Sequence, residues 1–205
     1  MDKNFYQKGF FEKKWFFITD SGLSVRSKKM GSIHEYDINF EDIGTRLRTS
    51  TKDIAALRLI AIACLVIAIV VFVARLSGKH VENWAEAFYL IVAVGAASAY
   101  YLTYKKLLYL LKPNNSNPIE FLLDKPTAAD LGAFIELLGS TRRTHLLKLY
   151  GQLNPKLSYQ QQYNNLLWLM NIEVITQAEF HEKISRLDKA FPATTSVKGF
   201  AFGSN

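Results

Sequence analysis

Cysteine occurs once, at Cys64, in a chain of 205 residues. That excludes an internal disulfide and any zinc site built on a pair of cysteines, and it fits a reducing compartment. Histidine is also sparse. His34, His80, His145 and His181 stand far apart, and no two have metal-ligand spacing. Glycine-rich phosphate loops, dinucleotide fingerprints and nucleophile elbows are missing. No hydrophobic leader is expected, because the first fifty residues are charged and strand-like. The reading is therefore of a non-enzyme, with no catalytic or metal-binding residue and no cofactor.

What the chain does have is apolar weight in two places. Between Leu59 and Val73 lie eleven Leu, Ile, Val or Phe residues and no charge. At the usual transfer values, they favour membrane insertion by about 3–7 kcal/mol. Arg58 opposes this, but it sits near one end and its stem can snorkel to the interface. A second uncharged run, Ala87 to Tyr104, has six such residues and is marginal alone, at about 2–4 kcal/mol. It is plausible as the return arm of a hairpin. The spacing predicts spans over about 54–76 and 85–104; two buried helices of a soluble core are the alternative. Small residues Ala93, Gly95, Ala97 and Ala99 give small-xxx-small spacing for helix packing.

Charge gives the orientation. Residues 51–112 hold seven basic and three acidic residues, over half of the net +7. Arg46, Arg48 and Lys52 precede the first run, Lys105, Lys106 and Lys112 follow the second, and Arg75 and Lys79 lie between. The asymmetry puts both termini in the cytoplasm. Basic residues beside the membrane segments suit lipid headgroups, and no nucleic-acid signature accompanies them.

The flanking sequence reads as strands. Trp15 to Thr19 is aromatic and β-branched; Asp20, Ser21 and Gly22 form a turn with a glycine free to take positive φ; Leu23 and Val25 alternate with polar residues. "IHEYDI" follows, and a weaker strand is expected around Phe5 to Phe11. After the apolar runs, "KLLYLLKP" and "PIEFLLDKP" read as two strands joined by "NNSN". A helix then starts at Thr127, with Asp130 as its capping-box partner and an apolar stripe of Leu131, Phe134, Ile135, Leu138 and Leu146. Ser158 with Gln161 and Thr176 with Glu179 open two more helices, an αα-hairpin over 158–190 too small to bury a core alone.

"FFITDSGLSV" followed by "IHEYDINFEDI", and closed by "TAADLGAFIELLGSTRR", resembles bacterial pleckstrin-homology-like domains. "LLWLMNIEVITQAEFHEKISRLDKAF" is similar to the bacterial short C-terminal domain known as SHOCT, with Ile175, Thr176, Glu179, Phe180 and Lys183 at matching positions. The central glycine of that module is replaced around Asn171 to Glu173. The first resemblance implies a bent antiparallel sheet plugged by one helix; the second implies an oligomerisation or interaction element.

Together these give an α+β membrane protein. Residues 1–50 form the first part of a cytoplasmic sheet domain, 51–106 a transmembrane hairpin, 107–150 the second part of the domain, 158–190 the helical hairpin and 191–205 a flexible tail. The location is the bacterial inner membrane. The function expected is scaffolding or regulation through self-association, a protein partner or anionic lipid; an oligomeric pore or membrane-disrupting effector is the alternative. Candidate lipid contacts are Lys13, Lys14, Arg26, Lys28, Lys29 and Arg58. Candidate oligomerisation residues are Leu166, Trp168, Phe180, Ile184 and Leu187.

Overall fold

A computed structural model describes residues 4–112 and 118–191. The expectations for the "NNSN" connection and for the tail after Phe191 lie outside the described residues. The chain is α+β, with two antiparallel sheets and five α-helices.

The larger sheet is a meander of β1 (Asn4–Lys8), β2 (Glu12–Ile18), β3 (Gly22–Lys29) and β4 (Ser32–Asn39). Alternation on β2 buries Phe16 and Ile18, and their register partners Val25 and Leu23 continue the apolar row across β3. Gly22 does not take a positive φ, contrary to the expectation for this turn. It is required for close approach: a Cβ there would lie 2.0 Å from the Ile38 carbonyl oxygen. The positive φ falls in the next turn, at Met30 and Gly31.

The smaller sheet is β5 (Leu47–Lys52), β6 (Lys105–Leu110) and β7 (Ile119–Leu122). Between β5 and β6 the chain runs through α1 (Ala55–Leu76) and α2 (Ala85–Thr103). Both helices are long and apolar enough to cross a membrane. They pack against each other and hardly touch anything else. Each buries one residue, Ala68 on α1 and Ala93 on α2, while Ile62, Val70, Phe72, Ile91 and Val94 are exposed. Gly95 faces open space, so the small-residue spacing serves this crossing at Ala93 only. At the far end of the hairpin Arg75 pairs with Glu86 at 2.5 Å and donates to the Glu82 carbonyl at 2.8 Å.

Helix α3 (Ala128–Tyr150) packs Leu131, Phe134, Leu138 and Leu146 into the core with Phe16 and Phe121 of the two sheets. Helices α4 (Tyr159–Asn171) and α5 (Gln177–Ala190) each begin with a complete capping box, Ser158–Gln161 and Thr176–Glu179, as their sequence dictates. They dock on α3, and Leu166, Leu169, Val174, Ile175, Phe180 and Leu187 belong to the same continuous core. Between α4 and α5, Glu173 takes φ 60°, at the place where the SHOCT resemblance wanted a glycine. Its carboxylate accepts from the Thr45 hydroxyl and from Arg46 at 3.1 Å, which ties the bend to the loop before β5.

Candidate functional site

The smaller sheet connects to α1 and α2 at Lys52 and Lys105, the last residue of β5 and the first of β6, which are register partners. Register places Lys52, Lys105 and Glu120 on the face of this sheet opposite to Phe121 and Leu108. On the larger sheet, Glu12 and Lys14 continue the row that buries Phe16 and Ile18. The apolar core gives way there to ion pairs. Lys105 Nζ meets Glu12 at 2.7 Å, Lys14 Nζ meets Glu120 at 2.6 Å, and Lys52 Nζ reaches the second oxygen of Glu120 at 3.2 Å. Lys14 also donates to the Glu120 main-chain carbonyl. One corner is closed by Gln7, fully buried, whose amide pairs with both backbone groups of Leu122 in the manner of a strand.

The ion-paired side chains of Glu12, Lys14, Lys52, Lys105 and Glu120 line a cleft of about 290 Å³ beside the roots of α1 and α2, completed by Lys29, His34 and Tyr36. Four lysines against Glu12 and Glu120 leave it with excess positive charge. Burial opposes ionisation of Glu120, but hydrogen bonds and charge from Lys14, then Lys52, outweigh it and hold the carboxyl below its ordinary range. Tyr36 is pushed up by burial and by the Glu120 charge. The arrangement clamps the two sheets together where they meet α1 and α2 and gives that end a cationic character. No group of three His, Cys, Asp or Glu residues among those described is placed to hold a metal ion.

The residues expected to touch lipid divide in three. Lys13 and Lys28 are register partners and exposed on the outer face of the larger sheet, where Arg26 lies beside Glu35 at 3.9 Å; Lys29 is exposed at the rim of the cleft. Lys14 is buried and held by Glu120, because β2 alternation turns it inward. Arg58 is exposed in the first turn of α1.

The residues expected to mediate self-association pack within their own chain. Leu166, Phe180 and Leu187 are buried within their own chain; Trp168 packs edge-on to Tyr150 of α3 at 5.0 Å, and Ile184 is half-buried against the same core. The docking surface that the small hairpin needs is α3. Arg142 of α3 locks this arrangement. It is 2% exposed, and donates from Nε to the Phe40 carbonyl at 3.0 Å and from Nη2 to the Ile172 carbonyl at 3.2 Å. Burial lowers its pKa, and the charges of Glu173 and Glu41 oppose that.

Sequence reasoning missed Glu12, Glu120, Gln7 and Arg142 as structural groups. The available signal was a carboxylate within the apolar run "PIEFLL" and a lysine at an inward position of β2. It also treated Lys52 and Lys105 only as topology signals. On the second helix, the Thr103 hydroxyl donates to the Ala99 carbonyl of its own helix at 2.8 Å, which removes one of the few polar groups a conduit could use. No known protein family matches the chain, and neither does any curated protein or solved structure.

Proposed function

We propose that this is a non-enzymatic protein of the bacterial inner membrane, in which α1 and α2 span the bilayer and hold a cytoplasmic pleckstrin-homology-like domain against the inner leaflet. The domain serves as a scaffold or regulatory module that contacts anionic lipid and a protein partner, with the SHOCT-like α4–α5 unit as a built-in extension of its surface. The observation that carries this reading is the insertion point. Two helices with apolar residues exposed along their length leave from paired neighbouring strands, β5 and β6, while the sheets and α3–α5 possess a closed core of their own. Apolar surface of that extent needs a lipid solvent. A sheet of four strands, a sheet of three and a helix that shares one apolar core with both support the pleckstrin-like comparison. Both helix ends return beside Lys52 and Lys105, so the insertion leaves the strand register intact.

Orientation is tested by labelling intact cells with an impermeant thiol reagent in a Cys64→Ala background. Cysteine at Ser77 or Lys79, in the α1–α2 turn, is expected to react, and cysteine at Lys156 only after permeabilisation. The reverse pattern would overturn the orientation, and equal reaction at all three without permeabilisation would overturn the membrane span.

A further inference from the structure

We propose that the tips of two β-hairpins, Phe10–Phe11 and Met30, rest in the headgroup layer of the same anionic bilayer, beside the root of α2. The proposal rests on the membrane reading above and adds a second, peripheral contact to the anchor. The two turns lie at the same end of the larger sheet, since β1–β2 and β3–β4 are both antiparallel hairpins. That end is fixed next to the membrane helices. Glu12 follows Phe11 directly and is bonded to Lys105, two residues past the end of α2; Glu12 is also the register partner of Lys29, which precedes Met30.

The tips have the wrong chemistry for water. Phe10 is 66% exposed, Phe11 42% and Met30 82%. Phe10 and Phe11 stack edge to face at 4.7 Å and form one apolar knob. Turn positions ordinarily carry Gly, Asn, Asp, Ser or Pro. The turn at the opposite end of the same sheet obeys that habit, with Asp20 and Ser21. At the end beside the helices Phe10 and Phe11 fill both central positions of their turn, between Gly9 and Glu12, and in the next turn Met30 stands beside Gly31, the one residue there that obeys it. A collar of cations stands behind the tips: Lys8, Lys13 and Lys28 occupy one register row across three strands, and all are exposed. An apolar point backed by lysines is the pattern that binds at a lipid interface, where rings enter the acyl boundary and ammonium groups meet lipid phosphate.

The experiment uses full-length protein carrying Cys64→Ala, reconstituted in vesicles of phosphatidylglycerol and phosphatidylethanolamine. An environment-sensitive fluorophore is placed through Phe10→Cys, Met30→Cys, Asp20→Cys or Phe72→Cys, the last within the apolar run of α1. All four positions are exposed, and Phe11→Cys gives a second probe of the same knob. The expected result is blue-shifted emission at 10 and 30 with quenching by lipids nitroxide-labelled near the headgroup. The probe at 20 is expected to remain wet and unquenched, and that at 72 to be quenched by acyl-chain nitroxide. If 72 is quenched and 10 and 30 behave like 20, the tip contact is wrong and the anchor stands. A blue shift at 10 and 30 without lipid quenching would mean that protein covers the tips, and would also overturn the proposal. Loss of quenching at 72 would bring down the membrane reading itself, and this inference with it.

Discussion

The protein contains two helical hairpins of the same topology and opposite solvent preference. In α1–α2 the apolar residues surround both helices, and only Ala68 and Ala93 are buried. In α4–α5 they are confined to one side of each helix and are buried against α3, with Leu169 and Leu187 fully enclosed. Charge follows the same division. Among the residues of α1 and α2, ionisable groups other than tyrosine and cysteine are limited to Arg58, Arg75 and Glu86, all near helix ends, whereas α5 alternates acid and base along its exposed face and joins Arg186 to Glu182 at 2.6 Å. The fold of a hairpin therefore says little about what surrounds it. The angular distribution of its apolar side chains says most of it.

Truncation tests that difference with the largest effect. Leu169→Ala in α4 removes a side chain with no exposed surface, and is expected to lower stability by about 2–5 kcal/mol. Ile62→Ala in α1, at a residue 55% exposed, is expected to cost only about 0.5 kcal/mol, since a side chain with so little of its own protein around it leaves no cavity. Denaturation in mild detergent would measure both. Equal costs would make α1 a packed core helix and erase the contrast.

The second prediction addresses how the water-facing hairpin is attached. Arg142→Ala leaves the buried Phe40 and Ile172 carbonyls without their donor, and is expected to cost roughly 2–3 kcal/mol and to loosen α4–α5 from α3. Limited proteolysis near the α3–α4 linker should accelerate. Unchanged cleavage would show that the apolar contacts suffice.

The third and smallest effect concerns the roots of the α1–α2 hairpin. The Glu120 pKa is lowered in the folded protein, so its contribution is complete above the ordinary glutamate value, about 4.3, and disappears as pH falls through the folded value. Glu120→Gln is expected to cost about 1–2 kcal/mol at neutral pH, because Lys14 stays buried with a weaker partner. The same substitution should flatten the stability profile below about pH 4. An unchanged acid limb would show that the clamp does not titrate.

Much of the fold was legible because it depended on local pattern. Helices α1 (Ala55–Leu76) and α2 (Ala85–Thr103) fall within a residue of the expected bounds, since polar and turn-forming residues bracket each apolar run. The three helix starts at Thr127, Ser158 and Thr176 were readable because capping is settled by residues three apart. Strand β5 was not readable. All six of its residues are exposed, so "LRTSTK" carries no alternation and becomes a strand only by pairing with β6 across the inserted α1–α2 hairpin. The boundaries at 50 and 106 accordingly divided two strands that the structure keeps whole.

The site divides along the same line. Composition and charge position determined by themselves that the chain has a greasy hairpin with basic flanks, and the hairpin's place between strand segments was visible in the order of patterns. Which lysines face outward was decided by β2 register: Lys13 is exposed and Lys14, its neighbour, is buried on Glu120, more than a hundred residues away. The fate of Leu166, Phe180 and Leu187 was decided by α3. An amphipathic stripe announces that it must be covered, but its covering surface is formed by residues distant in sequence, and only the packed chain supplies it.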